Sequence, residues 1–395
     1  MSVISSVTYL AIFRSTHKTK MMEESTTKTK IFFIDNLRVL MTVLVILHHT
    51  VITYGGPGGW YFTDPTTNKP ALIIMTLFVA TNQAFFMGFF FFLSALFTES
   101  SYNKKGTAKF IADRLKRLGI PLLFYSFILG PIMNYLVYRY GLHKDASFMQ
   151  YIGGYDNWID PGVMWFVAAL LLFTGICILL KQFNKNKKYN QYALPGNRTI
   201  LIFAIALGVI SYLVRIVFPV GWVLHPVGFQ LAHFPQYSCM FLLGIMASRN
   251  GWMNYIGYST GKRWLIVALV LVFVVFPLMF ILINSPIDTF QGHGTWQSFF
   301  AAIWEQLTGV SIMVALSGIA KHKWNYTTPL LQKMSRAAFA AYIFHPLIVI
   351  TISLSLLQWH VDPAIKLLIA APCAVLFSFC FAWVITKLPV AKNIV

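Results

Sequence analysis

Acidic residues are scarce in this chain of 395 residues: 12 Asp and Glu stand against 31 Lys and Arg, a net charge of +19. Charge of either sign is thin, 11% of residues where an average soluble domain has about a quarter, which excludes an ordinary soluble protein. Cysteine is limited to Cys177, Cys239, Cys373 and Cys380, each inside an apolar stretch, so no disulfide framework or metal-ligand spacing is implied. No internal repeat is visible, which argues against transporter folds built from paired halves. Polar segments long enough to fold alone are also missing, the longest being 98–118 and 181–198. The apolar stretch 3–13 precedes basic residues rather than following them, the wrong order for a signal peptide.

What the sequence has is hydrophobic residue, 57% of the total, in long runs. Ten runs lie near 31–54, 71–97, 118–138, 163–180, 199–219, 229–248, 264–283, 297–319, 337–357 and 364–386. Each approaches or exceeds the roughly 20 residues a bilayer demands. The pattern predicts an all-α membrane protein, a bundle of about ten transmembrane helices over 31–390, with residues 1–30 a disordered tail. If that tail is cytoplasmic, 26 basic residues fall on the inner side and only Lys69, Arg139, Lys144, Arg215 and Lys366 on the outer. That asymmetry places both termini in the cytoplasm, and the plasma (inner) membrane is the expected home. Cations spread over six inner segments do not form the single basic face that a nucleic-acid partner requires.

Polar residues inside spans are costly and mark function, so they are the place to look for chemistry. The first span holds Asp35, Arg38, His48 and His49. At 100° per residue, Arg38 and His49 fall within about 20° of one helical face and ~16 Å apart, while His48 lies about 80° off it. Asp35, three residues before Arg38, can pair with it. An imidazole titrates near neutrality and suits general-base work, which makes His49 the candidate base; a hydrogen bond to a neighbouring helix is the other reading. Glu305, the carboxylate deep in the eighth span, comes to a depth similar to that of His49. It is a candidate to orient His49 or hold an acceptor hydroxyl; a proton relay or a pair with Arg215 is the alternative. Arg215, near a helix end, is expected to snorkel to the interface, and His345 in the ninth span to be structural. Arg114 and Arg117, one turn apart with Lys104, Lys105 and Lys109 upstream, can hold phosphates bidentately, or else mark topology and touch anionic lipid. The outer segments 54–70 and 151–161 are rich in glycine, aromatic and acidic residues, which suits sugar binding or interfacial anchoring.

These residues together resemble the acyltransferase 3 family of integral membrane acyltransferases, which includes bacterial O-antigen and peptidoglycan O-acetylases and a glucan succinyltransferase. The family's opening Asp, Leu-Arg and His is matched by Asp35, Leu37, Arg38 and His49. Phe89 to Phe92 with Leu93 and Ser94 resemble its second-span motif, with Ala95 where a glycine is usual. Arg114, Arg117 and Pro121 match the paired-arginine motif. Trp165 with Phe166, the stretch from Phe234 to Tyr237 with Phe241 and Gly244, and Ala341, Tyr342 and His345 resemble later elements. The resemblance implies acyl transfer from cytoplasmic acyl-CoA, acetyl-CoA or succinyl-CoA, as cosubstrate to a hydroxyl of a carbohydrate or other envelope acceptor. No permanently bound cofactor and no metal are implied. Arg38, Arg114 and Arg117 would bind the donor, and His49 would act as general base or acyl carrier. The rival expectation is a proton-coupled secondary transporter or carrier using Asp35, Arg38, His49 and Glu305.

Overall fold

The computed structural model describes residues 31–183, 190–389, 391 and 394. The predicted tail, 1–30, and Lys185, Lys187 and Lys188 of the third inner loop lie outside the described residues. The chain divides into two units at residue 32, and the second, 33–395, holds the features discussed below. Among the described residues regular structure is helical throughout, with one isolated bridge between Leu224 and Phe229 and no strand.

Among the described residues, nine helical stretches are long and apolar enough to cross a bilayer. They include α1 (Phe32–Thr53), the pair α2 (Lys69–Gln83) and α3 (Phe86–Ala95), and α4 (Trp165–Phe183). Further along come α5 (Asn197–Val217), then α6 (Phe234–Asn250), α7 (Tyr258–Val270), α8 (Trp296–Lys323), α9 (Pro329–Ser355) and α10 (Pro363–Ile385). The sixth expected run is α6, which has only 17 residues and is led in by a 3₁₀ turn, Leu231–His233. All four cysteines are free.

Helix α1 sends apolar side chains into three separate clusters. Leu37, Met41 and Val45 enter the main core; Val39 and Ile46 meet α9 and α10; Val51 and Ile52 meet α2 and α10. At the other extreme α7 leaves Ile266, Leu269 and Val270 exposed, as a lipid-facing helix should.

Two irregularities shape the interior. The second span breaks after Gln83, and the carbonyl of Ala84 is satisfied not by the helix but by the Gln236 side chain of α6, Nε2 to O 2.7 Å. Gly309 of α8 allows this crossing, since a Cβ there would lie 2.0 Å from the same carbonyl oxygen. The third span, 107–141, alternates α turns with wider π turns at Leu115–Gly119, Tyr125–Leu129 and Val137–Gly141. Pro121 and Pro131 each follow one of these turns, where the widened ladder absorbs the missing N–H.

Candidate active site

Near one end of α1 the three arginines singled out by sequence meet. Arg38, Arg114 and Arg117 line one cavity of about 470 Å³ together with Lys105, Asp113, Thr42, Ser94 and Tyr342. Asp35 pairs with Arg38 at 3.6 Å, as the i,i+3 spacing predicts. The Arg38 guanidinium also lies 4.7 Å from the centre of the Phe97 ring. Arg114 donates from Nη2 to Thr98 Oγ1 at 3.1 Å and rests over Phe110. Lys105 pairs with the carboxylate of Asp113 in the wall, at 2.6 Å. Neither Arg114 nor Arg117 has a carboxylate partner among the described residues' ion pairs, so their charge is available to an anion.

The cavity reaches inward to Tyr342 on α9, and one turn further along α9 lies His345. His345 is fully buried, and its Nε2 is 2.8 Å from Nδ1 of His49. Its other nitrogen, Nδ1, is 2.7 Å from the backbone carbonyl of Tyr342. Trp60 stacks on His49, ring centres 4.1 Å apart and planes 14° from parallel, and its ring also lies 6.1 Å from that of His345. His49 is only partly buried, and among the described residues its Nε2 has no hydrogen-bond partner. His48 differs in every respect: it is 5% exposed, packs on Phe86 and hydrogen-bonds Asn82 at 3.2 Å. The helical-face arithmetic separates the two histidines correctly.

The loop that delivers Trp60 is pinned on its C-terminal side. Asp64 pairs with Lys366 at 2.7 Å, and Thr66 Oγ1 donates to Asp362 at 2.7 Å, both on the lead-in to α10 or its first turn. Two hydrogen bonds, one from Thr66 and one from the Ala364 amide, hold the Asp362 carboxyl below its ordinary range. Tyr61, edge-on to Trp60, shares a 2.8 Å hydrogen bond with the hydroxyl of Tyr125. Gly162 is obligatory beside them: its φ is +47°, and a Cβ would stand 2.2 Å from the Tyr61 hydroxyl. Beyond this pair a run of rings, Tyr135, Tyr151, Tyr155 and Trp158, continues outward with neighbouring centres 5.1 to 5.7 Å apart.

Two expectations need correction. Arg215 does not snorkel; it is 1% exposed, and its Nη2 donates to both oxygens of Glu305, at 2.7 and 2.9 Å. Glu305 is further engaged by His233 Nδ1 at 3.2 Å and by Gln306. It shares no hydrogen bond with His49; the partner expected of Glu305 is His345, which sequence reasoning had set aside as structural. Depth along a helix axis follows from residue counting, but the side on which a neighbouring helix packs does not. Trp60 was visible only as one of several interfacial aromatics. Among the described residues no group of three or more His, Cys, Asp or Glu side chains could hold a metal.

Comparison with known families gives one match: the model described as an acyltransferase domain, that of the acyltransferase 3 family, covers residues 31–387. No curated protein and no solved structure matches the chain.

Proposed function

The chain belongs to the acyltransferase 3 family and is a membrane acyltransferase of the O-acyl type, and from that premise we propose that it moves an acetyl or succinyl group from acyl-CoA to a hydroxyl of a carbohydrate or other envelope acceptor. The observation that carries the donor reading is the cavity itself: cations crowd one end, and the other end reaches Tyr342, whose carbonyl holds the histidine bonded to His49. Arg114 and Arg117 pair with phosphate oxygens of the donor, with Arg38 at the same wall. The thioester extends along the cavity toward His49.

At His49 the chemistry balances without a further reactant. Nε2 takes the proton of the acceptor hydroxyl as its oxygen attacks the thioester carbonyl; the carbon–sulfur bond then breaks, and the departing sulfur receives that proton, yielding ester and free CoA thiol. Trp60 covers one face of the imidazole and holds its plane. The outward run of Tyr135, Tyr151, Tyr155 and Trp158 supports a sugar acceptor, because flat aromatic faces cover the apolar faces of pyranose rings while Asp156 and Asp160 offer acceptors for hydroxyls. With the arginine end in the cytoplasm, donor and acceptor arrive from opposite sides of the inner membrane. Mass spectrometry of envelope carbohydrate from cells with and without the gene tests this: an ester-linked acyl mass disappears with the gene, and unchanged glycans would count against the acceptor class.

A further inference from the structure

Helix α9 carries Pro346 in its interior, and proline has no N–H to give the carbonyl four residues earlier. That carbonyl belongs to Tyr342. The ring that fills the gap is that of the neighbouring residue, His345, through Nδ1 at 2.7 Å. A carbonyl only accepts, so the hydrogen sits on Nδ1 of His345, and in a neutral imidazole Nε2 is then a bare acceptor. This acceptor faces Nδ1 of His49 at 2.8 Å, which must therefore be the donor. The lone pair of His49 is thereby confined to Nε2, the nitrogen with no partner among the described residues.

We infer that Tyr342, His345 and Pro346 form a device that fixes the tautomer of His49, with His345 as the positioning residue for the base. The inference rests on the reading of His49 given above and adds what that reading leaves open: why Nε2, and not Nδ1, is the nitrogen that takes a proton. The hydrogen bond has a second consequence. When Nε2 accepts the hydroxyl proton, the ring becomes a cation, and its Nδ1–H bond to His345 becomes charge-assisted and roughly twice as strong. An interaction that strengthens only as the reaction proceeds acts on turnover rather than on donor binding. The geometry suits this: the His49 and His345 rings lie 10° from parallel, joined edge to edge by the 2.8 Å hydrogen bond, and Trp60 covers the His49 face at 14°.

The test compares His345→Gln, whose amide oxygen reaches the position of Nε2 and still accepts from His49, with His345→Leu, which fills space and accepts nothing. The purified variants are assayed for thiol release from acyl-CoA in the presence of acceptor. His345→Leu loses kcat by roughly 10²-fold or more with the KM for acyl-CoA unchanged, while His345→Gln recovers most of it. Full kcat in His345→Leu, or equal losses in both variants, overturns the inference. In the wild-type protein, ¹⁵N spectra of labelled histidine show His49 protonated at Nδ1 and bare at Nε2; the opposite tautomer overturns the inference even where a variant fails to fold. His49→Ala separates the two levels: normal turnover there removes the reading of the base, whereas an inactive His49→Ala beside a fully active His345→Leu removes only the positioning role.

Discussion

Adjacent residues on one helix can have opposite fates, and His48 and His49 show why. Both are imidazoles at nearly the same depth, yet the 100° between them turns His48 into the packing of Phe86 and Asn82 and His49 toward α9 and Trp60. His48→Ala should cost stability, about 1 kcal/mol for the lost Asn82 hydrogen bond and more for the space left behind, while turnover per folded molecule stays near wild type. Thermal unfolding in detergent and thiol release together check this; a loss of turnover comparable to that of His49→Ala would discredit the distinction. In the cationic cavity, Arg114→Ala and Arg117→Ala should each remove the charge-assisted hydrogen bonds proposed to the donor, worth about 1.5 to 3 kcal/mol. The KM for acyl-CoA should rise roughly 10- to 100-fold in each, and unchanged donor affinity in both would return the pair to a topological role. The meeting of Arg114 and Arg117 in one cavity was legible from their spacing even though the helix widens into a π turn between them, and the separation of His49 from His48 was legible from the 100° step. His345 was not, since its role depends on a carbonyl released by Pro346 and on the approach of α9 to α1, neither of which a linear pattern contains.

Elements place these side chains through a few close crossings. The break between α2 and α3 exposes the Ala84 carbonyl, which Gln236 caps while α8 slides past at Gly309. Gly309→Ala forces a methyl onto a backbone oxygen 2.0 Å away, so the break or α8 must shift. A loss of stability of about 1 to 3 kcal/mol is expected, measured as a fall in the unfolding midpoint in detergent. An unaltered midpoint would mean that this crossing is looser than described. The loop bearing Trp60 is held at Asp362, whose carboxyl titrates below its ordinary range because Thr66 and the Ala364 amide donate to it. A group with a depressed folded-state pKa contributes stability above its unfolded value, near 3.9, and loses it as pH falls through the folded value. Asp362→Ala should therefore be less stable than wild type at pH 7, with the gap closing below about pH 4. A gap independent of pH would assign the effect to packing instead. The sequence showed the Gly-rich loop and the apolar second span, but the break at Ala84 has no proline or paired glycine to announce it. It is set by α6 and α8, far away along the chain.

On the scale of the whole molecule, ten hydrophobic runs carried the helical architecture, and among the described residues nine long helices with the shorter α6 realise it. Hydrophobic length is a demand of the bilayer on each segment separately, so it is readable segment by segment. Lateral arrangement is not: α1 sends apolar side chains into three separate clusters, and Glu305 lies with Arg215 rather than His49 because α8 packs on α5. That arrangement brings a cationic cavity as far as Tyr342, whose carbonyl holds the histidine bonded to His49. The account stands or falls on whether transfer happens there. Purified protein given acyl-CoA and envelope carbohydrate should release thiol in step with ester formed, and His49→Ala, still folded and still binding donor, should fall by roughly 10²- to 10⁴-fold. Turnover at the wild-type rate in His49→Ala would contradict it.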